Sequence, residues 1–339
     1  METKLLTTND NDIAFAGEII RNGGLVAVPT ETVYGLGASA FEPQAARKIY
    51  AAKGRPSDNP LIVHICDKAQ IEEIAADVTP EAKRVMDAFM PGPITIILKK
   101  KPTVPYAVTA GLDTVAVRYP SNETACRLIR AAGVPIAAPS ANLSGKPSPT
   151  AAAHVIEDMT GRIDAIIDGG RCDVGVESTI VDFTDATPVI LRPGGVTHDD
   201  LKSVVPEVSV DKNILQSIGE GETPKSPGMK YKHYAPNAEV TVVEGDKENV
   251  QKKIKELLSE SGGKIAGVLA MYGADYDNAV ILPAGESNKE YAKNLFSALR
   301  EFDRLGVEKV YAEFCEKDGY GLAVKNRLYK AAAQRVIHV

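Results

Sequence analysis

Cysteine is sparse and scattered: Cys66, Cys126, Cys172 and Cys315 are the only four in 339 residues. No two of them form a CxxC pair, which excludes a zinc ribbon or a dithiol redox motif and leaves reduced, packing cysteines. HExxH is absent, the five histidines form no spaced metal set with the cysteines, and no GxSxG elbow presents a nucleophile beside its base. No protein-bound metal site is therefore expected. The chain also lacks GxGxxG and a Walker GK[ST] ending. No run of about 18 apolar residues exists to span a bilayer, and the opening METKLLTTNDND lacks the basic-then-apolar layout of a signal peptide, so a cytoplasmic protein without membrane contact is expected. Positive charge is in deficit, with a net charge of −6. A chain-wide face for duplex nucleic acid is thereby disfavoured, and any anion site must be local.

The length suggests two domains. Apolar runs at 25–28, 61–65, 94–98, 115–117, 134–138, 165–167, 178–181 and 188–191 read as strands, several apolar on both faces as in a covered sheet. Helix signals fall between them. Thr79-Pro80-Glu81 is an N-cap followed by proline and an acid, and Asn122 caps a segment that Gly133 closes. Periodicity fades over 206–237, where prolines and glycines gather. A second alternation follows, with strands at 239–243, 265–270 and 309–314, an apolar run near Val280, and helices at 247–260, 289–305 and from Leu322. We expect an α/β catalytic domain over 1–205, a linker over 206–237, and a smaller, mostly parallel three-layer α/β domain over 238–339.

Polar residues cluster where strands end, the usual place for ligands on open α/β sheets. "PTETVYGLG" follows the strand at 25–28 and brings Thr30 and Thr32; it reads as a strand-to-helix turn, or as a ligand loop whose glycines let backbone approach. "KGRPSDNPLIVH" places Lys53 and Arg55 at a helix end, with Asn59 and His64 beyond. Two cations can hold a polyphosphate, though a lysine and glycine also suit any helix C-terminus, and a lone histidine in an apolar strand suits a core. "APSANLSGKPSPT" gathers Ser140, Asn142, Ser144 and Ser148 ahead of a helix start at Pro149-Thr150, either an elaborate turn or an anion site. Arg118 and Arg192 each leave a strand end, and Ser178 opens "GVESTIVDF". Chemistry by positioning and charge stabilisation needs nothing that is missing. In "SPGMKYKHYAP" two lysines, two tyrosines and a histidine, with Lys225 just ahead, crowd a loop with no acid between Glu222 and Glu239.

These motifs, in this order with "VAVRYP" and "LRPGG", resemble the YrdC-type domain of L-threonylcarbamoyladenylate synthases; "SPGMKYKHYAP" and the second α/β segment resemble the long, two-domain form of that family. The resemblance implies a YrdC-like twisted open sheet, a Rossmann-like second domain, and a reaction of ATP, L-threonine and bicarbonate that yields threonylcarbamoyl-AMP and pyrophosphate. It implies Mg²⁺ carried by ATP, and a downstream transferase complex that modifies an adenosine beside the anticodon of tRNA, with direct tRNA binding weak or absent. Carried over by position, Lys53 and Arg55 are catalytic. Arg55, Asn59, Ser140, Asn142, Ser148 and Arg192 contact ATP, while Thr32, His64, Arg118, Ser178 and the backbone of Ala138 contact threonine. The loop implies a lid of Lys230, Tyr231, Lys232, His233 and Tyr234, with Tyr231 and His233 reaching ATP. Rival readings are an RNA-binding module, which the acidic balance disfavours, and a hydrogenase-maturation carbamoyl transferase, whose zinc-finger cysteine pairs and extra N-terminal domains are not seen.

Overall fold

The computed structural model describes residues 1–215, 233–273, 275–316 and 318–339; Lys230, Tyr231 and Lys232 lie outside them. The chain forms two compact units. Unit 1 takes Met1–Ser144, Ser148–Asp173 and the chain from Glu177 up to the undescribed segment; unit 2 takes Gly145–Pro147, Val174–Val176 and the chain from that segment to Val339.

Unit 1 carries strands β1 (Lys4–Leu6), β2 (Val26–Val28), β3 (Gly35–Ser39), β4 (Ile62–His64), β5 (Ala75–Ala76), β6 (Ile94–Lys100), β7 (Thr114–Arg118), β8 (Ile136–Ala137), β9 (Ala165–Ile167), β10 (Thr179–Asp182), β11 (Val189–Arg192) and β12 (Ser209–Val210). They join in the order β1-β9-β2-β3-β8-β4-β7-β6-β10-β11-β12, with β5 beside β6. The sheet is mixed: β4 is parallel to β7, and β6 to β10, whereas β8 and β6 run against their neighbours β4 and β7. Helix α1 (Asp10–Arg21) and the helix α2 (Glu123–Ala132) pack one face through Ile13, Ala16, Ile20, Leu128 and Ile129. Asn122 accepts from the Ala125 amide and Gly133 ends the helix left-handed, as the sequence predicts. Helix α3 (Pro43–Lys53) ends the same way at Gly54, which leaves Lys53 in its last turn.

Two local expectations are overturned. "PTETVYGLG" leads into β3, antiparallel to β2 with Val26 opposite Gly37, and not into a helix. Its glycines serve strand packing: a Cβ on Gly37 would meet Ile136 Cγ2 at 2.8 Å, and one on Gly35 would meet Ala138 Cβ at 3.3 Å. Further on, Pro149-Thr150 does not start a helix. Helix α4 (Ala152–Met159) begins later, with no side-chain cap at Ala151, while the Thr150 carbonyl accepts from the Cys172 amide and its amide donates to His154 Nδ1.

In unit 2, β13 (Glu239–Glu244), β14 (Ala266–Ala270), β15 (Ala279–Pro283), β16 (Lys309–Phe314) and β17 (Val336–His338) form the sheet β15-β14-β16-β13-β17, parallel at every described pairing. Helix α5 (Lys247–Ser259) packs Val250 and Ile254 on Val243, Ala266, Val268 and Ala270. Strand alternation turns Gly267 and Phe314 to the other face, where Phe302 and Tyr291 of α6 (Asn288–Arg304) meet them. Three layers result. Tyr234, expected in a lid, belongs to this packing: it is buried, stacks on Phe296 at 5.1 Å, and lies under the guanidinium of Arg327. Its left-handed φ of 64° turns the chain there, and its ring is held in the packing of unit 2.

Candidate active site

Strand pairing collects residues that are distant in sequence. His64 on β4 is opposite Arg118 on β7, and the β6–β7 ladder, continued by one step, sets Thr95 opposite Arg118. Thr95 is opposite Ile180 on β10, and Ile180 is opposite Arg192 on β11. Paired residues share a face of the sheet, so His64, Arg118, Thr95 and Arg192 form one row spanning four strand spacings, about 19 Å. All four are buried.

At one end of the row, Arg192 donates from Nε to Ser178 O and from Nη2 to Ser178 Oγ, both at 3.1 Å, and Ser178 Oγ is 2.8 Å from Thr95 Oγ1. Ser148 joins this group through Glu177, donating from Oγ to Oε1 at 2.6 Å. At the other end, the Arg118 guanidinium lies 2.8 Å from the Glu31 carboxylate, both side chains buried. Thr30 and Thr32 share a hydroxyl contact of 2.8 Å in the same loop. That loop is stitched to the serine-rich one: the Tyr34 amide donates to Pro149 O, Leu36 to Pro139 O, Ala141 to Tyr34 O, and Gly35 bridges Ser140. The Ala138 amide is held by Ile62 O at 2.9 Å.

Lys53 is buried, with Nζ donating to the carbonyl oxygens of Ser140 and Asn142, the latter at 2.6 Å. Ser140 Oγ in turn donates to Asn142 Oδ1 at 2.5 Å. The ammonium thus shapes the loop that presents Ser140. Arg55 Nη2 reaches the carbonyls of Asn59 and Pro60 at 3.4 Å, and the Tyr50 hydroxyl donates to Asn59 O at 3.0 Å. Asn59 is fully buried, yet its side-chain amide has no hydrogen-bond partner among the described residues, an arrangement that natural proteins usually reserve for a ligand or water. His233, the one described member of the expected ATP-contacting lid pair, belongs to unit 2, its ring 5.5 Å from that of Tyr234.

Burial, with Arg118 next, depresses the His64 pKa to about 3, so the ring is neutral. In the unfolded chain it titrates near 6.5. The unfolded chain binds the extra proton between those values, so stability is full above pH 6.5 and declines as pH falls toward 3. At pH 5 the loss is about 2 kcal/mol. In urea unfolding at pH 7 and pH 5, His64→Gln should lose about that much less stability than the parent; equal losses would contradict a buried neutral His64. Burial likewise pushes the Cys126 thiol up to about 11 and Cys172 to about 12, which keeps both protonated and inert.

Sequence reading missed Glu31, Thr95 and Glu177. Glu31 carries a signal, an acid between two threonines right after an apolar strand, but its arginine lies far along the chain. Thr95 carries none, since one threonine in an apolar strand is ordinary. Among the described residues no cluster of three His, Cys, Asp or Glu side chains is placed to hold a metal, and no helix is long and apolar enough to cross a membrane.

The fold and the row define an α/β domain whose buried arginines and hydroxyls suit an enzyme of anionic substrates. The Sua5/YciO/YrdC family model, described as "Telomere recombination", matches residues 18–194, and the model for the threonylcarbamoyl-AMP synthase C-terminal domain matches 196–333. The chain is 50% identical to the threonylcarbamoyl-AMP synthase of Pyrococcus abyssi over 330 residues, 96% of each chain. It is 48% identical to that of Bacillus subtilis over 342 residues, 99% of this chain and 97% of the other. The crystal structure of P. abyssi Sua5 complexed with L-threonine superposes with a TM-score of 0.95 at 47% identity, over the whole of both chains. The chain belongs to the Sua5/YciO/YrdC family, in its two-domain form. Its activity is that family's threonylcarbamoyl-AMP synthesis: it is an ATP-using transferase that forms an adenylate.

Proposed function

We propose that the row on unit 1 takes L-threonine at its Arg118 end and MgATP toward Arg192, and joins them through bicarbonate. The threonine amine takes up bicarbonate to give N-carboxy-threonine. Its new carboxylate attacks the α-phosphorus of ATP, and pyrophosphate leaves. The observation that carries this reading is the single level at which β4, β7, β6, β10 and β11 present His64, Arg118, Thr95 and Arg192. Arg118 pairs with the amino-acid carboxylate. Thr32, neutral His64, Ser178 and the Ala138 backbone define a pocket for the side chain, whose hydroxyl partners would be left unpaired by an analogue lacking the OH.

Arg55, Asn59, Ser140, Asn142, Ser148 and Arg192 hold the nucleotide, and Lys53 and Arg55 supply the catalytic charge beside the phosphates. Mg²⁺ enters with ATP as part of the substrate. Tyr231, which lies outside the described residues, and His233 are further ATP contacts in this reading. The first domain extends over 1–205, the linker over 206–237 and the second domain over 238–339. The product passes to a transferase complex that modifies tRNA beside the anticodon.

Full-length protein incubated with MgATP, bicarbonate and each amino acid in turn should yield the mass of threonylcarbamoyl-AMP with threonine alone, together with pyrophosphate. Absence of that mass in fresh reactions would sink the reading.

A further inference from the structure

We propose that Glu31 is a further catalytic residue: it holds the ammonium of the incoming amino acid and removes one of its protons, freeing the amine to attack bicarbonate. The inference rests on the reading of unit 1 as the site where threonine is carboxylated and adenylated. Glu31 is 6% exposed and Arg118 4%. Glu31 Oε1 lies 2.8 Å from Arg118 Nη2, yet the two are not aligned as a hydrogen bond. Neither oxygen of Glu31, nor Arg118 Nε or Nη2, has a hydrogen-bond partner among the described residues. A buried ion pair with a purely structural role fills its remaining lone pairs and protons with other hydrogen bonds; this one leaves them open.

An α-amino acid brings the complement. Its carboxylate suits Arg118 and its ammonium suits Glu31, and its two charged groups share one carbon, as a directly apposed acid and base require. The ionisable groups in electrostatic reach of Glu31 are Arg118 from β7, in contact with it, and the thiols of Cys126 and Cys172, with His64 beyond Arg118. Burial keeps the thiols and the imidazole neutral, which leaves Glu31 and Arg118 as the charged pair. An ammonium has no lone pair with which to attack. Transfer of one proton to Glu31 gives the neutral amine and a carboxylic acid. The amine nitrogen then bonds to the bicarbonate carbon as its C–OH bond breaks, and the hydroxyl leaves as water with a second amine proton. The carbamate carries the single negative charge, and Glu31 returns its proton to solvent.

The test is kcat/KM for threonine from pH 6.5 to 9.5, measured on the full chain for the parent, Glu31→Gln and Glu31→Asp. ATP formation from threonylcarbamoyl-AMP and pyrophosphate is followed alongside, because that direction needs no amine deprotonation. The parent profile should be level across neutrality. Glu31→Gln should fall at least about 100-fold at pH 7 and climb about tenfold per pH unit toward alkaline pH, as free threonine loses its proton unaided. Its forward loss should exceed its reverse loss at least about tenfold. Glu31→Asp, which keeps a carboxylate, should keep the level profile at a reduced rate. A Glu31→Gln profile parallel to the parent's, or equal losses in both directions, reduces Glu31 to neutralising Arg118 and overturns the proposal. So does a climbing profile for Glu31→Asp, the deciding variant if the glutamine form does not melt cooperatively. Failure of the parent itself to make ATP from threonylcarbamoyl-AMP removes the functional reading, and the role of Glu31 with it.

Discussion

Lys53→Met should lower threonine-dependent pyrophosphate release by about a hundred- to a thousandfold, the scale expected when a preorganised donor is removed from a site of developing charge. Read as a cation at a helix end, Lys53 would be replaceable without cost to the fold. The structure adds a cost. Lys53 is 3% exposed, and its ammonium donates to the carbonyls of Ser140 and Asn142. Methionine fills the same channel with no donor, so two buried carbonyls lose a partner at about 1–3 kcal/mol each. The Ser140–Asn142 pairing that those bonds support loosens with them. A melt together with pyrophosphate release separates the two effects. Turnover should vanish at a temperature where the variant is still folded, and near-normal turnover there would contradict the catalytic placement of Lys53.

Gly194→Ala should be nearly as damaging, although Gly194 touches no substrate in the proposed pose. An added Cβ would lie 2.3 Å from Glu177 O, 2.4 Å from Thr179 N and 2.5 Å from the Ser178 carbonyl carbon. All three are backbone atoms, so no side-chain rotation relieves the contact. The strand start at Ser178 must move, and with it the hydroxyl that holds Thr95 and Arg192. The clasp between Thr179 Oγ1 and the backbone of Val196, 2.5 Å to its oxygen and 3.0 Å from its amide, is strained as well. Overpacking of this kind costs about 3 kcal/mol, a drop of roughly 10 °C in melting temperature. Displacement of the row should reduce turnover about a hundredfold. A variant with parent-like melting and kinetics would show that 177–179 yields freely and does not set the site.

Much of this was legible in the chain. The N-caps at Thr79 and Asn122 and the left-handed stops at Gly54 and Gly133 are local signals, and the helices follow them. Apolar runs such as 94–98 become central strands because no face of them can be left in water. Short elements escaped notice. Lys4–Leu6, Ala75–Ala76, Ser209–Val210 and Val336–His338 have two or three residues each, too few to display a period. Gly35–Ser39 was disguised by its own glycines, whose use is close strand approach.

By itself the sequence determined where several helices start and stop, that the chain makes two α/β units, and which polar motifs stand at strand ends. Those properties depend on residues a few places apart, where periodicity, capping and turn chemistry act. Only the tertiary structure decided that His64, Arg118, Thr95 and Arg192 stand at one level, because register between strands is set by packing of whole faces. It alone decided that Lys53 spends its ammonium on two carbonyls, and that Tyr234 is an anchor on Phe296. It also paired Arg118 with Glu31, a carboxylate whose partner lies on a strand far along the chain, a distance that no local pattern spans.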